Sequence, residues 1–359
     1  MLLAAAALAG ACSSDDRPTT GQGPPLPSPS TTTSSTTTPP TTTPPTTAVP
    51  ETTTAPTTAE PPTTTTVPPP PRPAPTPPSP AGLALWDAPI IVTPTGVVVP
   101  VVRRNGDGVL VRTPCGATAT IRSGTPIGGA EVVLDAGHGG VEHGATGPNG
   151  LTEKLLNLGV VEHARNALEA AGHATVLTRT ADYRMTLEAR AAVVKALDPR
   201  AFVSVHHNAE PDGPWPGPGV ETYYQIAGSS TRESKRLAGL IQEEVVASMG
   251  RYSVEWVADA DAGAKFRKNS RGDDYYGMIR QTQGTPAALA ELGFISNLPE
   301  ADLYARADVQ KVEGEAVARA VVRFLATKDP GSGFTEPYPR DSPAGPGGGA
   351  SSCRDPDLG

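Results

Sequence analysis

Four polar side chains stand where the pattern of the chain has a strand ending or a helix beginning. His138 follows the apolar run in Leu134-Asp-Ala-Gly-His-Gly-Gly140, and Glu153 opens a long helical pattern in Leu151-Thr-Glu-Lys154. His206 closes a strand in Val203-Ser-Val-His-His-Asn-Ala209, and Glu291 closes the last strand in Leu289-Ala-Glu-Leu-Gly-Phe-Ile-Ser-Asn297. Two histidines and one carboxylate, with a fourth position left for water, make a common catalytic zinc set. Such a metal lowers the pKa of its bound water to roughly 7. A second carboxylate outside the coordination sphere is then needed to take the water's proton and pass it to a leaving amine. Singly, each residue has a plainer reading. A lone strand-end histidine is usually a surface or hydrogen-bonded one, and a glutamate at a helix start favours the N-terminal dipole. Glu291 is harder to explain as structural, because a buried unpaired carboxylate after an apolar run is costly. Their joint placement points to a metallohydrolase.

The elements that must position these residues begin at Glu131, where the pattern turns to alternating strands and helices. Strands are predicted over 132–134, 174–178, 202–205, 220–224 and 287–290, and helices over 153–171, 187–197, 232–249 and 309–325. The expected class is α/β, with a mostly parallel sheet flanked by helices on both faces. Ligands of open α/β sheets bind at the carboxyl ends of the strands, so four loops would converge on one crevice.

Residues 83–128 precede this domain, which is expected over 129–328. Val97-Val-Val-Pro-Val-Val102 and Val109-Leu-Val-Arg112, joined through Asn105-Gly-Asp-Gly108, predict a small β-hairpin extension, with Ala117–Ile121 as a further strand. Pro100 favours an edge position there. The extension either packs on the catalytic domain or forms its own module.

Residues 13–82 are mainly Thr, Pro and Ser, with almost no large apolar side chain to bury, and are expected to be a disordered stalk. Extended, it would reach on the order of 200 Å. Residues 1–12 form a short apolar run ending in small residues and Cys12, which resembles the tail of a lipoprotein signal with Cys12 as the lipidated residue. The basic leader of such a signal is expected upstream of Met1. Cys115 and Cys353 then remain as a pair, which in an oxidising compartment suggests a disulfide pinning the tail of residues 329–359, otherwise expected to be mobile. A net charge of −8 with no basic run argues against a nucleic-acid partner.

The segments Val133-Leu-Asp-Ala-Gly-His-Gly-Gly140, Glu153-Lys154, Ser204-Val-His-His-Asn208, Gly219-Val-Glu-Thr-Tyr-Tyr224 and Glu291-Leu-Gly-Phe-Ile-Ser-Asn297 resemble, in order, the motifs of zinc-dependent N-acetylmuramoyl-L-alanine amidases. Leu177-Thr-Arg-Thr180 and Arg184–Arg190 are similar to that family too, and the extension resembles one found in mycobacterial and other actinobacterial members. The resemblance implies that His138, Glu153 and His206 bind Zn2+ and that Glu291 is the general base and acid. It also implies a peptidoglycan or muropeptide substrate and action in the cell envelope. The lipoprotein-like start would make Cys12 the membrane anchor there, and the protein is expected to be a monomer. The family has alanine where His207 stands. Strand alternation lets only one of two adjacent histidines face a metal, and the alignment selects His206. His143, His163 and His173 match no ligand position. The segment Val257–Tyr276, locally basic through Lys265, Arg267, Lys268 and Arg271, either borders the groove or is a solvated loop. Two rival functions share these residues: a zinc peptidase acting on the peptide stem, and a wall-binding protein that is inactive or awaits a partner.

Overall fold

Apolar runs bounded by glycine and proline and followed by amphipathic stretches fold from Val132 onward as a three-layered α/β arrangement. The computed structural model describes residues 82–209, 214–257, 262–337 and 351–359. Cys12 and nearly all of the expected stalk lie outside the described residues.

The first part of the described chain holds β1 (Ile90–Val92), β2 (Val98–Asn105), β3 (Gly108–Arg112), β4 (Thr118–Ile121) and β5 (Thr125–Ile127). The larger part follows with β6 (Val132–Ala136), α1 (Glu153–Ala170), β7 (Thr175–Leu177), α2 (Leu187–Leu197), β8 (Ala201–Asn208), β9 (Glu221–Tyr224) and α3 (Thr231–Met249). It ends with β10 (Gly263–Lys265), α4 (Gly277–Gln281), β11 (Ala287–Phe294), α5 (Leu298–Tyr304) and α6 (Ala307–Ala326).

The larger sheet has six strands in the order β10-β9-β11-β8-β6-β7. It is mixed: β7, β6, β8 and β11 run parallel, whereas β9 is antiparallel to β11 and carries β10 parallel to itself. Direction could not be read from the four-residue pattern of β9, because alternation of side chains is the same either way. One face, with Leu134, Val203, Ala288 and Ala290, packs beneath α1, α3 and α6 in a large apolar cluster. The other face, with Val133, Val176, Phe202 and Ala287, lies under α2 and α4. Each fully buried Val, Leu or Phe there contributes about 1.5–3 kcal/mol relative to exposure.

The N-terminal extension is larger than the expected hairpin. It is a five-stranded antiparallel sheet, β4-β3-β2-β1-β5, and its three-residue strands β1 and β5 are too short to announce themselves by periodicity. It is not a separate module, since Ile90, Val98, Val109 and Ile127 join α2 and Phe202 in one buried cluster. Pro100 sits on β2, in the middle of that sheet rather than at its edge. The reason is local: over Val98–Pro100 the strand pairs with β1, and β3 joins only from Val101 onward, across a register shift. At Pro100, β2 has a single strand neighbour.

The tail, expected to be mobile after Asp329, is attached at both of its described ends. Phe334 bridges to Ala264 of β10, with Ala264 N donating to Gly333 O and Thr335 N donating to Ala264 O. Cys353 is joined to Cys115 by a disulfide, with the Cα atoms 5.5 Å apart. Asp355 accepts from Cys115 N at 2.7 Å, and Leu358 packs on the cluster that holds the extension.

Candidate metal centre

His138, Glu153 and His206 come together at the end of the sheet where β6 and β8 finish. One potential ligand atom from each lies within 4.8 Å of the other two, and all three residues are buried. His138 Nε2 stands 3.1 Å and His206 Nδ1 3.0 Å from Glu153 Oε1, and the imidazole rings meet edge to face. Glu153 is the first residue of α1. Its Oε2 accepts from Ala145 N at 2.8 Å, while Oε1 accepts from Asn157 Nδ2 at 3.2 Å. Burial works to raise its pKa, but His138 and His206 hold the carboxylate well below its ordinary value.

Two glycines leave the room that this cluster occupies. A Cβ on Gly137 would lie 2.2 Å from His206 Cε1, and one on Gly144 would lie 2.4 Å from Glu153 Oε2 and 2.7 Å from His138 Cδ2. His138 itself takes a left-handed backbone conformation, φ 61°, unusual for a residue with a Cβ. The donor set of two imidazoles and one carboxylate, drawn together in a cradle that larger residues would fill, suits a divalent metal with an open position. Among the described residues this is the one such group of His, Cys, Asp and Glu.

Glu291 lies inside β11 rather than at its end, in register with His206 of β8 on one side and Glu221 of β9 on the other. Paired residues of neighbouring strands project from the same face, so Glu291 stands on the face of the sheet that bears His206. It is 2% exposed. Glu221 accepts from Asn208 Nδ2 at 2.6 Å and from Tyr223 Oη at 2.9 Å, and it is ion-paired with Lys265. Arg267 Nη2 stands 3.8 Å from the same carboxylate and donates through Nη1 to Tyr276 Oη at 2.9 Å. Burial pushes the Tyr276 phenol up, so it is neutral and available as a donor. Lys265, at the end of β10, and Arg267, two residues beyond it, are therefore buried charges and not members of a solvated loop.

His207 points to the opposite face from His206. Its Nδ1 is 2.8 Å from Asn157 Oδ1, its Nε2 is 3.4 Å from Glu313 Oε1, and its ring meets Tyr304 edge to face. His163 lies on α1, away from the cluster, where burial lowers its pKa. His173 pairs with Glu131 at 2.9 Å, and His143 contributes its backbone carbonyl to Lys154 N.

A sheet that carries a His/Glu/His cluster and a neighbouring buried carboxylate at one end has the architecture of an α/β hydrolytic enzyme with a candidate metal centre. Residues 132–323 match the family described as N-acetylmuramoyl-L-alanine amidase, and the chain belongs to that family. It is 36% identical over 211 residues to the uncharacterized protein YqiI of Bacillus subtilis, covering 58% of this chain and 92% of that one. It is 31% identical over 199 residues to the N-acetylmuramoyl-L-alanine amidase LytC of Bacillus subtilis, covering 55% of this chain but 36% of LytC. Among solved structures it is similar to the catalytic domain of CwlV, an N-acetylmuramoyl-L-alanine amidase from Bacillus (Paenibacillus) polymyxa var. colistinus. That likeness has 28% identity and a TM-score of 0.45, covering 55% of this chain and 98% of that one.

Proposed function

We propose that the protein is a zinc-dependent amidase that hydrolyses the bond between the lactyl group of N-acetylmuramic acid and L-alanine in peptidoglycan. The observation that carries the reading is the convergence of His138, Glu153 and His206 beside Glu291, in a chain of this family. His138, Glu153 and His206 would hold Zn2+, which when bound supplies Lewis acidity toward the scissile carbonyl. Glu291 accepts a proton from the attacking water and returns it to the departing alanine nitrogen, so one carboxylate serves as base and then as acid. The buried environment of Glu291 keeps bulk water from competing for that proton. Arg267, which donates to Tyr276 Oη, stands 3.8 Å from Glu221, the register partner of Glu291 on β9.

The site of action we infer is the cell envelope. Residues 1–12 would supply a lipid anchor at Cys12 and the Pro/Thr-rich stretch a stalk reaching into the wall. Among the described residues no helix is long and apolar enough to cross a membrane.

The deciding experiment incubates the full chain with purified peptidoglycan fragments, with and without a chelator, beside an E291A variant, and weighs the products. Chelator-sensitive release of intact stems that begin with free L-alanine, absent in E291A, is the expected result. Cleavage inside the stem would replace the amidase reading by a peptidase one. Binding without cleavage by zinc-loaded protein would leave a wall-binding module.

A further inference from the structure

Three successive backbone carbonyls, those of Ala136, Gly137 and His138, turn inward where β6 ends and accept hydrogen bonds from two buried arginines. Arg179 donates through Nε to Ala136 O at 2.9 Å and through Nη2 to Gly137 O at 3.0 Å. The same Nη2 reaches Lys154 O at 2.6 Å, in the first turn of α1. Arg190 donates through Nη1 to Ala136 O at 2.6 Å and through Nη2 to His138 O at 2.5 Å. It is anchored by Asp135 at 2.6 Å, whose other contacts are Thr178 and Ser204. Neither arginine reaches the surface, with exposures of 0% and 2%.

We propose that Arg179 and Arg190 are positioning residues that set the His138 loop against the first turn of α1, so that His138 and Glu153 meet at metal-binding distance before any ion arrives. The inference rests on the metal-site reading above. Arg179 ties together the two segments that supply those ligands, the carbonyls at 136 and 137 and the carbonyl at 154, with one planar guanidinium. Arg190 grips the carbonyl of His138 itself, at the residue whose left-handed backbone turns its ring toward Glu153. A planar forked donor serves several carbonyls at once, and an ammonium does not replace it. Attraction of the ion cannot be the purpose, because two positive charges near a cation site oppose binding. The proximity of the two guanidinium groups already has a cost: burial and the charge of Arg190 lower the pKa of Arg179 to about 10. Lys154 adds a third tie across the same junction, donating from Nζ to Gly140 O at 2.7 Å while pairing with Asp182.

The test uses the full chain with arginine replaced by lysine at either position, R179K and R190K, so that charge is kept and the fork is lost. Zn2+ affinity is measured by chelator competition, the melting temperature of each metal-free protein is recorded as a control for folding, and Co2+ is bound as a spectroscopic probe. A weakening of Zn2+ affinity by about 10- to 100-fold, the range typical of lost outer-shell partners, with a shifted Co2+ visible band, is expected for both variants. Wild-type affinity and an unchanged Co2+ band in variants whose metal-free melting temperature falls would overturn the proposal and leave the arginines purely structural. If the wild-type protein itself binds neither ion, the metal-site reading fails and the clamp falls with it.

Discussion

His206 and Glu291 are register partners on the adjacent parallel strands β8 and β11, so the second imidazole of the cluster and the buried carboxylate share one face of the sheet. Strand pairing, rather than a flexible loop, fixes their separation. The first prediction follows: E291Q retains Zn2+ at wild-type stoichiometry while amidase turnover falls by about 100-fold or more. Metal content by atomic absorption, alongside turnover, checks both halves.

His206 and His207 should separate cleanly. H206A is expected to lose the metal with its activity. H207A should keep the metal but lose about 1–3 kcal/mol of stability, because Asn157 and Glu313 are left buried without their partner. Denaturant unfolding and metal analysis of the two single variants decide this. Equal metal loss in both would reverse the assignment.

Asp135 gives the fold a dependence on acid. Burial pushes its pKa up, but Arg190, Thr178 and Ser204 outweigh burial and bring it to about 2, below the ordinary 3.8. The folded state therefore binds this proton less readily than the unfolded chain. The stabilisation is complete above the unfolded value and is lost as pH falls from about 4 toward 2; it is on the order of 2 kcal/mol. D135N should flatten that limb of the stability profile, measured by urea unfolding from pH 2 to 6.

Glu162 on α1 has the opposite sign. Burial raises its pKa from 4.5 to about 7, against the pull of Arg165 and Arg179. The folded state holds this proton more tightly than the unfolded one, so stability falls as pH rises from about 4.5 through 7. E162Q should equal the wild type near pH 4 and exceed it by about 1–3 kcal/mol at pH 8. Thermal unfolding at the two pH values tests the sign directly.

The link between Cys115 and Cys353 should also be measurable. Replacing both by serine is expected to cost about 2–5 kcal/mol, and peptide mapping without reductant should find the bridged pair.

Much of this arrangement was legible along the chain because it is written in local signals. Helical spacing located α1, α2, α3 and α6 to within about two residues, and the cluster residues stand in short motifs where β6 ends, where α1 begins and late in β8. The parts that escaped are those made by distant partners. Glu221 and Lys265 lie on β9 and β10, separated along the chain by the whole of α3, and nothing in either segment says that they pair. The segment carrying Lys265 and Arg267 could therefore border a groove or be solvated, whereas the fold buries both side chains. Arg179 and Arg190 belonged to stretches similar to the family, yet their task is visible only once β6 and α1 are folded against them. The helices α4 and α5, of five and seven residues, are too short for their periodicity to rise above the background of turns.

The bridge from Cys115 to Cys353 spans 238 positions and turns the stretch that contains His138, Glu153, His206 and Glu291 into a covalent macrocycle. Everything before Cys115 is tethered to that ring at one point. A protease that cuts once in any loop of the ring opens it but sheds nothing, because both new ends remain connected through the sulfurs. Two cuts are required to release a fragment. Under oxidising conditions a single nick therefore leaves all four residues bound to the same molecule, and reduction after nicking would let the pieces part.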